Sequence, residues 1–398
     1  MDSVTDTAKY DFTTAVDRSA FDSEKWAIMR RANPAVPAGI PPFSVADLDL
    51  KNAPEIIDGL RDYLRHAVLG YTATPEAYTQ AVVGWMQRRH GWTVQPEWIV
   101  QSNGVVPAIF NAVRAFTAPG DGVIVQTPSY YPFYQAIERN HRKLLRNPLV
   151  LRDGHFRIDF DGLEKLAADP RARLLLFCSP HNPTSRVWTR DELRRVADIV
   201  LEHGLILVSD EIHFDLVLPG HRHTIMATVG ADIASRCIVC TAPSKTFNLA
   251  GMQASNIVIP NEELRARFAE ELAATGFFSL NTLAYKTCEL AYTQGEAWLA
   301  GLLALVQRNH AAVRQFMARR LPQVRVFELQ GTYLQWMDFR ALGKSPEELR
   351  RINEQQALVF FDEGGMFGPE GAGFERMNLA TPAAAVDAAL ERLAQCYG

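Results

Sequence analysis

The chain has 398 residues, of which 47% are hydrophobic and 22% are charged, and its net charge is near −4. This length exceeds one usual domain of roughly 100–200 residues and predicts two domains. The nearly balanced charge argues against nucleic acid as a main partner, and no apolar run approaches the ~18 residues of a membrane span. The polar, acidic start and the odd number of cysteines, five, favour a protein of the reducing cytoplasm.

The first 45 residues carry a cluster of prolines at Pro34, Pro37, Pro41 and Pro42. Proline lacks a backbone N–H and restricts the residue before it, so this cluster favours an extended arm over a helix. We expect residues 1–45 to form an arm that completes the smaller of the two domains.

Between residues 46 and 285, short apolar runs alternate with helical patterns. Strands are predicted at 98–101, 122–126, 173–178, 205–209, 237–241 and 256–259. Helices are predicted at 106–116, 189–203 and 262–274. Continuous apolar strands that alternate with helices are typical of an α/β domain whose largely parallel sheet is covered on both faces.

The last part of the chain, residues 286–398, lacks the alternation of strands and helices seen in residues 46–285. A long helical pattern covers 290–321, with Gly295 and Gly301 as weak points, and a strand follows at 333–339. A helix at 346–357, a glycine-rich loop at 364–373 and a final helix at 383–397 complete the pattern. This order predicts a smaller α+β domain.

Three polar segments stand where predicted strands end, at the edge where α/β sheets bind ligands. In the first, residues 179–184, Asn182 lies between two prolines. The fixed turn could aim the Asn182 amide at a ligand, and the alternative is an ordinary Asn-Pro turn.

The second segment, residues 209–213, places Asp210 directly after a buried apolar strand. A carboxylate there is poorly solvated unless it meets a cation or a donor. It could cap a helix, bind a metal or pair with a protonated ring nitrogen. Asp210, Glu211 and His213 could suggest a metal site, but no Cys and His cluster with zinc spacing supports one, so we expect no metal.

The third segment, residues 242–248, contains Lys245, one of only eight lysines beside 33 arginines. A lysine among small and apolar residues at a strand end is a candidate for a lowered pKa and Schiff-base chemistry. The alternative is a solvent-facing lysine at the start of a helix.

Two other motifs do not support a site. Cys237 and Cys240 have the CxxC spacing but stand inside an apolar strand without a second pair, which favours buried structural thiols. A dinucleotide-binding fingerprint requires a strand before its glycines, and no predicted strand precedes the glycines at 368–373. No P-loop motif occurs either. A phosphate site remains at residues 102–106, where a strand leads into a helix, with Ser244 as a further donor.

A phosphate site, a lysine nucleophile, a carboxylate and a positioned amide are the parts that a pyridoxal 5'-phosphate (PLP) site needs. In this order and spacing the chain resembles the fold-type I PLP enzymes of the aspartate aminotransferase superfamily over nearly its whole length. Residues 46–49, 179–184, 209–213, 244–248 and 368–378 are similar to the MalY/PatB-type cystathionine β-lyases. The resemblance implies a large PLP-binding domain, a smaller C-terminal domain and a homodimer with shared active sites.

The resemblance also implies a role for each site residue. Lys245 would bind PLP covalently and then act as the base at the substrate Cα. Asp210 would pair with the pyridine nitrogen, Asn182 would donate to the phenolic oxygen, and Tyr130 would stack on the ring. His213 would contact the cofactor where many aminotransferases have tyrosine.

The remaining implied roles concern the phosphate and the substrate. The backbone N–H groups of Val105 and Val106, with Ser244, would hold the phosphate, and Tyr71 would reach it from the neighbouring subunit. Arg376, with Asn182, would bind the carboxylate of an amino-acid substrate. The alternatives are ordinary packing aromatics for Tyr71 and Tyr130, and a structural ion pair for Arg376.

The sequence departs from the superfamily at several positions. Gln253 and Ala242 stand where an arginine and a serine commonly bind phosphate, which predicts a less charged phosphate site and a modest cofactor affinity. Ser44 and Ser185 replace a tryptophan and a glycine that are frequent in the subgroup. Both lie near the expected substrate entrance and leave the substrate open.

Three functions follow in order of preference. The first is a C–S β-lyase that converts L-cystathionine or a related cysteine S-conjugate to a thiol, pyruvate and ammonia. The second is an aminotransferase, which shares the early steps; His213 favours the lyase. The third is a regulatory protein that binds a partner and keeps PLP as a structural element.

Overall fold

The computed structural model describes residues 9–398. Its strands are β1 Ile99–Ser102, β2 Gly122–Thr127, β3 Lys143–Pro148, β4 Val150–Arg152, β5 His155–Arg157, β6 Ala172–Cys178, β7 Ile206–Asp210, β8 Cys237–Thr241, β9 Ser255–Val258, β10 Arg325–Val326, β11 Leu334–Asp338, β12 Asp362–Glu363 and β13 Phe374–Asn378. Its α-helices are α1 Glu24–Ala32, α2 Pro54–Leu64, α3 Glu76–His90, α4 Val105–Phe116, α5 Tyr131–Glu138, α6 Phe160–Ala167, α7 Arg190–Glu202, α8 Ala231–Ala234, α9 Glu262–Ala274, α10 Thr282–Gln294, α11 Glu296–Arg320, α12 Pro346–Arg351 and α13 Ala383–Tyr397.

A seven-stranded sheet in the order β1-β9-β8-β7-β6-β2-β3 forms the centre of the fold. Five neighbouring strands, β3, β2, β6, β7 and β8, are parallel. Strand β9 runs antiparallel to both of its neighbours, β8 and β1. The predicted α/β architecture with a mostly parallel central sheet is therefore confirmed.

Both faces of the sheet are covered, because successive side chains of a strand point to opposite faces. In β6, Leu174 and Leu176 belong to the core cluster under α4, α5 and α9, whereas Leu175 belongs to the cluster on the opposite face. All these side chains are buried. This explains why the strands appear in the sequence as continuous apolar runs.

The C-terminal part contains a four-stranded antiparallel sheet in the order β10-β11-β13-β12. An N-terminal residue joins it: Phe43 N donates to Phe360 O at 2.9 Å, and Asn378 N donates to Phe43 O at 2.8 Å. Such contacts are what an arm that completes the small domain requires. The division at residues 45 and 285 stays a prediction, and residues 1–8 lie outside the described part.

Four details differ from the sequence predictions. Helix α1 lies within the region predicted as an extended arm; its Trp26 and Met29 are buried, and the prolines begin only after the helix ends. Strands β3, β4, β5, β10, β12 and β13 were not predicted. The helical pattern of 290–321 breaks at Gly295 but not at Gly301. The predicted helix at 346–357 is α12 followed by a π-helical segment, Ile352–Ala357.

Among the described helices, none combines the length and the apolar character that crossing a membrane requires.

Candidate active site

Strands β6, β7 and β8 are neighbours in the sheet, so the segments that follow them meet at one edge. A cavity of about 270 Å³ opens there. Nine of the ten predicted site residues line it, namely Val105, Val106, Tyr130, Asn182, Asp210, His213, Ser244, Lys245 and Arg376. The structure thus brings together residues that lie as far apart in the chain as Val105 and Arg376.

Lys245 lies in a turn after β8, neither in a helix nor on an open surface. Its Nζ donates to the carbonyl oxygen of Ala46 at 2.9 Å. Burial, aided by the charge of Arg376, lowers the pKa of Lys245. A neutral amine is therefore easier to form here than on the surface, as nucleophilic chemistry requires. The alternative of a solvent-facing lysine is wrong.

Asp210 is the last residue of β7 and is 5% exposed. Within residues 9–398 its carboxylate accepts one hydrogen bond, from Ile212 N at 3.1 Å, and forms no ion pair. Burial raises the pKa of Asp210 to about 7. Such a carboxylate lacks a cation, and a protonated ring nitrogen would supply one.

Asn182 and Arg376 form one hydrogen-bonded unit. Arg376 Nη1 donates to Asn182 Oδ1 at 2.6 Å, so the amide oxygen is occupied and the amide NH2 group remains available. Arg376 is buried, and its guanidinium also lies 4.5 Å from the centre of the Phe367 ring. This geometry aims a donor from Asn182 and a cation from Arg376 into the same cavity.

Asp362 is a site residue that the sequence analysis missed. Its Oδ2 accepts from Arg376 Nε at 3.1 Å and from Nη2 at 2.5 Å, and it also accepts from Val45 N at 2.9 Å. Arg376 therefore does form an ion pair, as the alternative interpretation expected, but Asp362 occupies only the Nε and Nη2 edge of its guanidinium. No sequence signal marks Asp362, since its contact arises from the pairing of β12 with β13.

The first turn of α4 offers backbone donors to the cavity. The first hydrogen bond of this helix runs from Ala108 N to Gly104 O at 3.2 Å, so the N–H groups of Val105 and Val106 precede it. Gly104 adopts φ +137°, a conformation that favours glycine, and Pro107 has no N–H to satisfy. Free N–H groups at a helix N-terminus favour an anion such as phosphate.

Two ring side chains complete the cavity wall. Burial raises the pKa of Tyr130 to about 12, so its hydroxyl stays protonated. Burial lowers the pKa of His213 well below its usual range, which keeps the imidazole neutral. The His213 ring meets Tyr333 edge-on at 6.2 Å, and its Nδ1 has no partner among the described residues.

Tyr71 is the one predicted site residue that lies outside the cavity. Its side chain is fully exposed, beside a cleft lined by Gly70, Thr72, Asn281 and Thr282. It is not packed in the core of its own chain. This position leaves it available to a neighbouring subunit.

The two cysteines of the CxxC sequence, Cys237 and Cys240, are free and fully buried, and burial raises the pKa of each thiol. The prediction of buried structural thiols is confirmed.

These residues fit PLP. Asp210 lacks a cation that a protonated pyridine nitrogen would supply, Asn182 has a free donor, and α4 has free N–H groups for a phosphate. Gln253 also lines the cavity, at the position where an arginine is common in the superfamily, and the less charged phosphate site stays a prediction.

The comparison with known families agrees with this site. Residues 42–393 match the family of class I and II aminotransferases, and the chain belongs to that family. The prediction of a fold-type I PLP enzyme of the MalY/PatB group is confirmed.

Individual relatives are similar over nearly their whole length. Cystathionine β-lyase PatB of Bacillus subtilis is 43% identical over 88% of this chain and 91% of its own, and protein MalY of Escherichia coli is 32% identical over 94% and 95%. The crystal structure of cystalysin from Treponema denticola, which contains PLP, superposes with a TM-score of 0.96 at 48% identity, covering 97% and 98% of the two chains.

Proposed function

We propose that this protein is a PLP-dependent C–S β-lyase that acts on L-cystathionine or a related cysteine S-conjugate. The observation that carries the proposal is the meeting of Lys245, Asp210 and Arg376 in one cavity. The similarity to cystathionine β-lyase PatB supports this reaction.

PLP, when bound, withdraws the electron pair that proton loss leaves on the substrate Cα. Lys245 would hold the cofactor covalently before substrate binds, and afterwards its amine would accept the Cα proton; the lowered pKa of Lys245 favours the neutral amine that this role needs. Asp210 would pair with the ring nitrogen and keep it protonated. Asn182 would donate to the phenolic oxygen, and Tyr130 would pack on the ring face.

Arg376 orients the substrate by binding its carboxylate through charge-assisted hydrogen bonds. Its Nη1 and the free NH2 group of Asn182 face the same cavity, so substrate and cofactor are bound by one connected unit. The thiol then leaves from Cβ. Water converts the remaining three-carbon fragment to pyruvate and ammonia.

An assay of the purified, PLP-loaded protein with L-cystathionine and no 2-oxo acid tests the proposal. We expect pyruvate and free thiol in equal amounts. Turnover that needs an added 2-oxo acid would show an aminotransferase instead. Bound PLP without turnover of any amino acid tried would favour the regulatory alternative.

The proposed assembly is a homodimer with shared active sites. Exposed apolar side chains precede Tyr71 in the chain and adjoin the segment 279–283 that lines the same cleft: Leu64, Val68, Leu69 and Phe278 are 46–89% exposed. Thr282 Oγ1 donates to Gly70 O at 3.4 Å, which holds the segment that follows Phe278 beside Tyr71. An apolar patch of this kind is typical of a protein interface.

Hybrid dimers test whether Tyr71 serves the other subunit. A dimer of one Lys245→Ala chain and one Tyr71→Ala chain contains one complete site only if Tyr71 acts across the interface. We expect a hybrid dimer to have about half of the wild-type activity. After free exchange in equal amounts about half of the dimers are hybrids, so the mixture should reach about a quarter of the wild-type activity. Activity that does not exceed that of the Tyr71→Ala variant alone would place Tyr71 elsewhere.

A further inference from the structure

The loop after β7 carries a second buried carboxylate, Asp215, that the reaction above does not use. Asp215 is 2% exposed and stands five residues after Asp210. Its Oδ2 accepts from Thr246 Oγ1 at 2.8 Å. Thr246 directly follows Lys245, so this hydrogen bond joins the loop of one site residue to the turn of the other.

The turn that carries Lys245 has few backbone bonds of its own. Phe247 N donates to Pro243 O and Leu249 N donates to Ser244 O, both at 2.9 Å, and Asn248 has a left-handed φ of +57°. Because no helix or strand fixes this turn, its position depends on side-chain contacts.

Side-chain contacts hold the turn from two directions. On one side, Asn52 Nδ2 donates to Phe247 O at 2.9 Å and to Asn248 O at 3.1 Å. On the other side, the only side-chain hydrogen bond of Thr246 within residues 9–398 is the one to Asp215. Loss of that bond would leave the turn held only by its side-chain hydrogen bonds to residues 46–52, which include the two between Asn248 and Leu48.

Asp215 is itself fixed to helix α3. Its Oδ1 accepts from Trp85 Nε1 at 3.0 Å and lies 2.8 Å from His90 Nε2, and the Arg89 guanidinium is 3.7 Å away. A buried carboxylate with hydrogen bonds to two positions of one helix and an ion pair to a third has a well-defined orientation. Thr246 is thus anchored to a 15-residue helix rather than to a loop.

We propose that Asp215 is a positioning residue that, through Thr246, sets the place of the Lys245 amine relative to Asp210. The inference rests on the proposed role of Lys245. According to this inference, the reaction depends on the buried Asp215–Thr246 hydrogen bond, although neither side chain lines the cavity.

Three variants of the PLP-loaded enzyme test this. Thr246→Val removes the hydroxyl at nearly constant volume, and Thr246→Ser keeps it. Thr287→Val is the matched control, because Thr287 is also buried and its hydroxyl donates only to Leu283 O of its own helix. The readouts are kcat, KM and the pH midpoint of the visible absorbance that arises from the bond between Lys245 and PLP.

For Thr246→Val we expect kcat to fall by about 10-fold or more with little change in KM, since small misplacements of reacting groups cost up to ~10²-fold. The pH midpoint should also shift, because the environment of the amine changes. Thr246→Ser should keep both values, and Thr287→Val should leave both unchanged.

A Thr246→Val enzyme with wild-type kcat and midpoint, and only a lower melting temperature, would overturn the inference. If Thr246→Val does not fold, Thr246→Ala and Thr246→Ser, which differ by one oxygen atom, decide the question in the same way. A wild type that binds PLP but releases no pyruvate would instead contradict the proposed lyase function, and the absorbance midpoint would still test the positioning role.

Discussion

Two lysines, the buried Lys25 and the half-buried Lys245, donate to adjacent carbonyl groups of the same segment, yet their charges are paired differently. Lys25 donates to Asp47 O at 3.0 Å and forms an ion pair with Asp49 at 2.7 Å, both side chains being 1% exposed. Lys245 donates to Ala46 O and has no carboxylate partner among the described residues. Pairing with a carboxylate therefore distinguishes the structural lysine from the one proposed to react.

The largest effect is expected when the unpaired lysine is removed. Lys245→Ala should lower pyruvate release from L-cystathionine by about 10²–10⁴-fold or more, because a positioned base contributes that much, and should abolish the visible absorbance of the cofactor–lysine bond. The control is Lys165→Ala, an exposed lysine on α6, which should behave as wild type. Full activity in Lys245→Ala would assign the chemistry to another residue.

Removal of the paired lysine should instead affect stability. Lys25→Met leaves Asp49 buried without its cation, and such a loss costs about 3–5 kcal/mol of unfolding free energy. Chemical denaturation measures this change, while kcat per bound PLP should stay close to wild type. The double variant Lys25→Met/Asp49→Leu should recover most of the stability. A Lys25→Met protein of normal stability that no longer binds PLP would remove the distinction between the two lysines.

Asp210 extends the comparison to carboxylates, since Asp49 has a cation and Asp210 does not. Its pKa of about 7 lies above the ordinary value near 3.9, so the folded state without PLP favours the protonated form. As pH rises through this interval, ionisation costs stability, up to about 4 kcal/mol above pH 7. Below pH 4 both folded and unfolded chains carry the proton, and the cost disappears.

Asp210→Asn should therefore raise the melting temperature of the PLP-free protein at pH 8 and leave it unchanged near pH 4. PLP should stabilise the wild type more than the variant, because only a carboxylate gains from the cationic ring nitrogen. Thermal unfolding at both pH values, with and without PLP, measures these differences. Equal melting temperatures at pH 8 would mean that Asp210 is already compensated.

A smaller effect is expected at Arg376, whose guanidinium is only partly paired by Asp362. Arg376→Lys keeps the charge but loses the forked geometry, so kcat/KM should fall by about 10–100-fold, mainly through KM, as loss of a charged hydrogen bond predicts. Arg152→Lys, at an exposed position of β4, is the control. An unchanged KM would indicate that Arg376 serves the ion pair alone.

The candidate site could be predicted from the sequence where it depends on strand ends. Asn182, Asp210 and Lys245 each follow an apolar run, and parallel strands bring their carboxyl ends to one edge. The N–H groups of Val105 and Val106 follow from the same rule, as the start of a helix after β1.

Contacts that depend on tertiary pairing could not be predicted. Asp362 meets Arg376 through the register of β12 and β13, and Asp215 meets Thr246 across two loops. The sequence likewise could not show which of the two glycines in the helical pattern of 290–321 would interrupt the helix. A Cβ at Gly295 would lie 2.6 Å from Ala291 O, where the helix breaks, whereas Gly301 stays helical and makes room for the Phe12 ring, which a Cβ there would meet.

Locating the covalent attachment of PLP tests the central claim most directly. The PLP-loaded protein is reduced with borohydride, digested and analysed by mass spectrometry. A single modified peptide that contains residue 245 is the expected result. A modified peptide at Lys25 or at any other lysine, with residue 245 unmodified, would contradict the account.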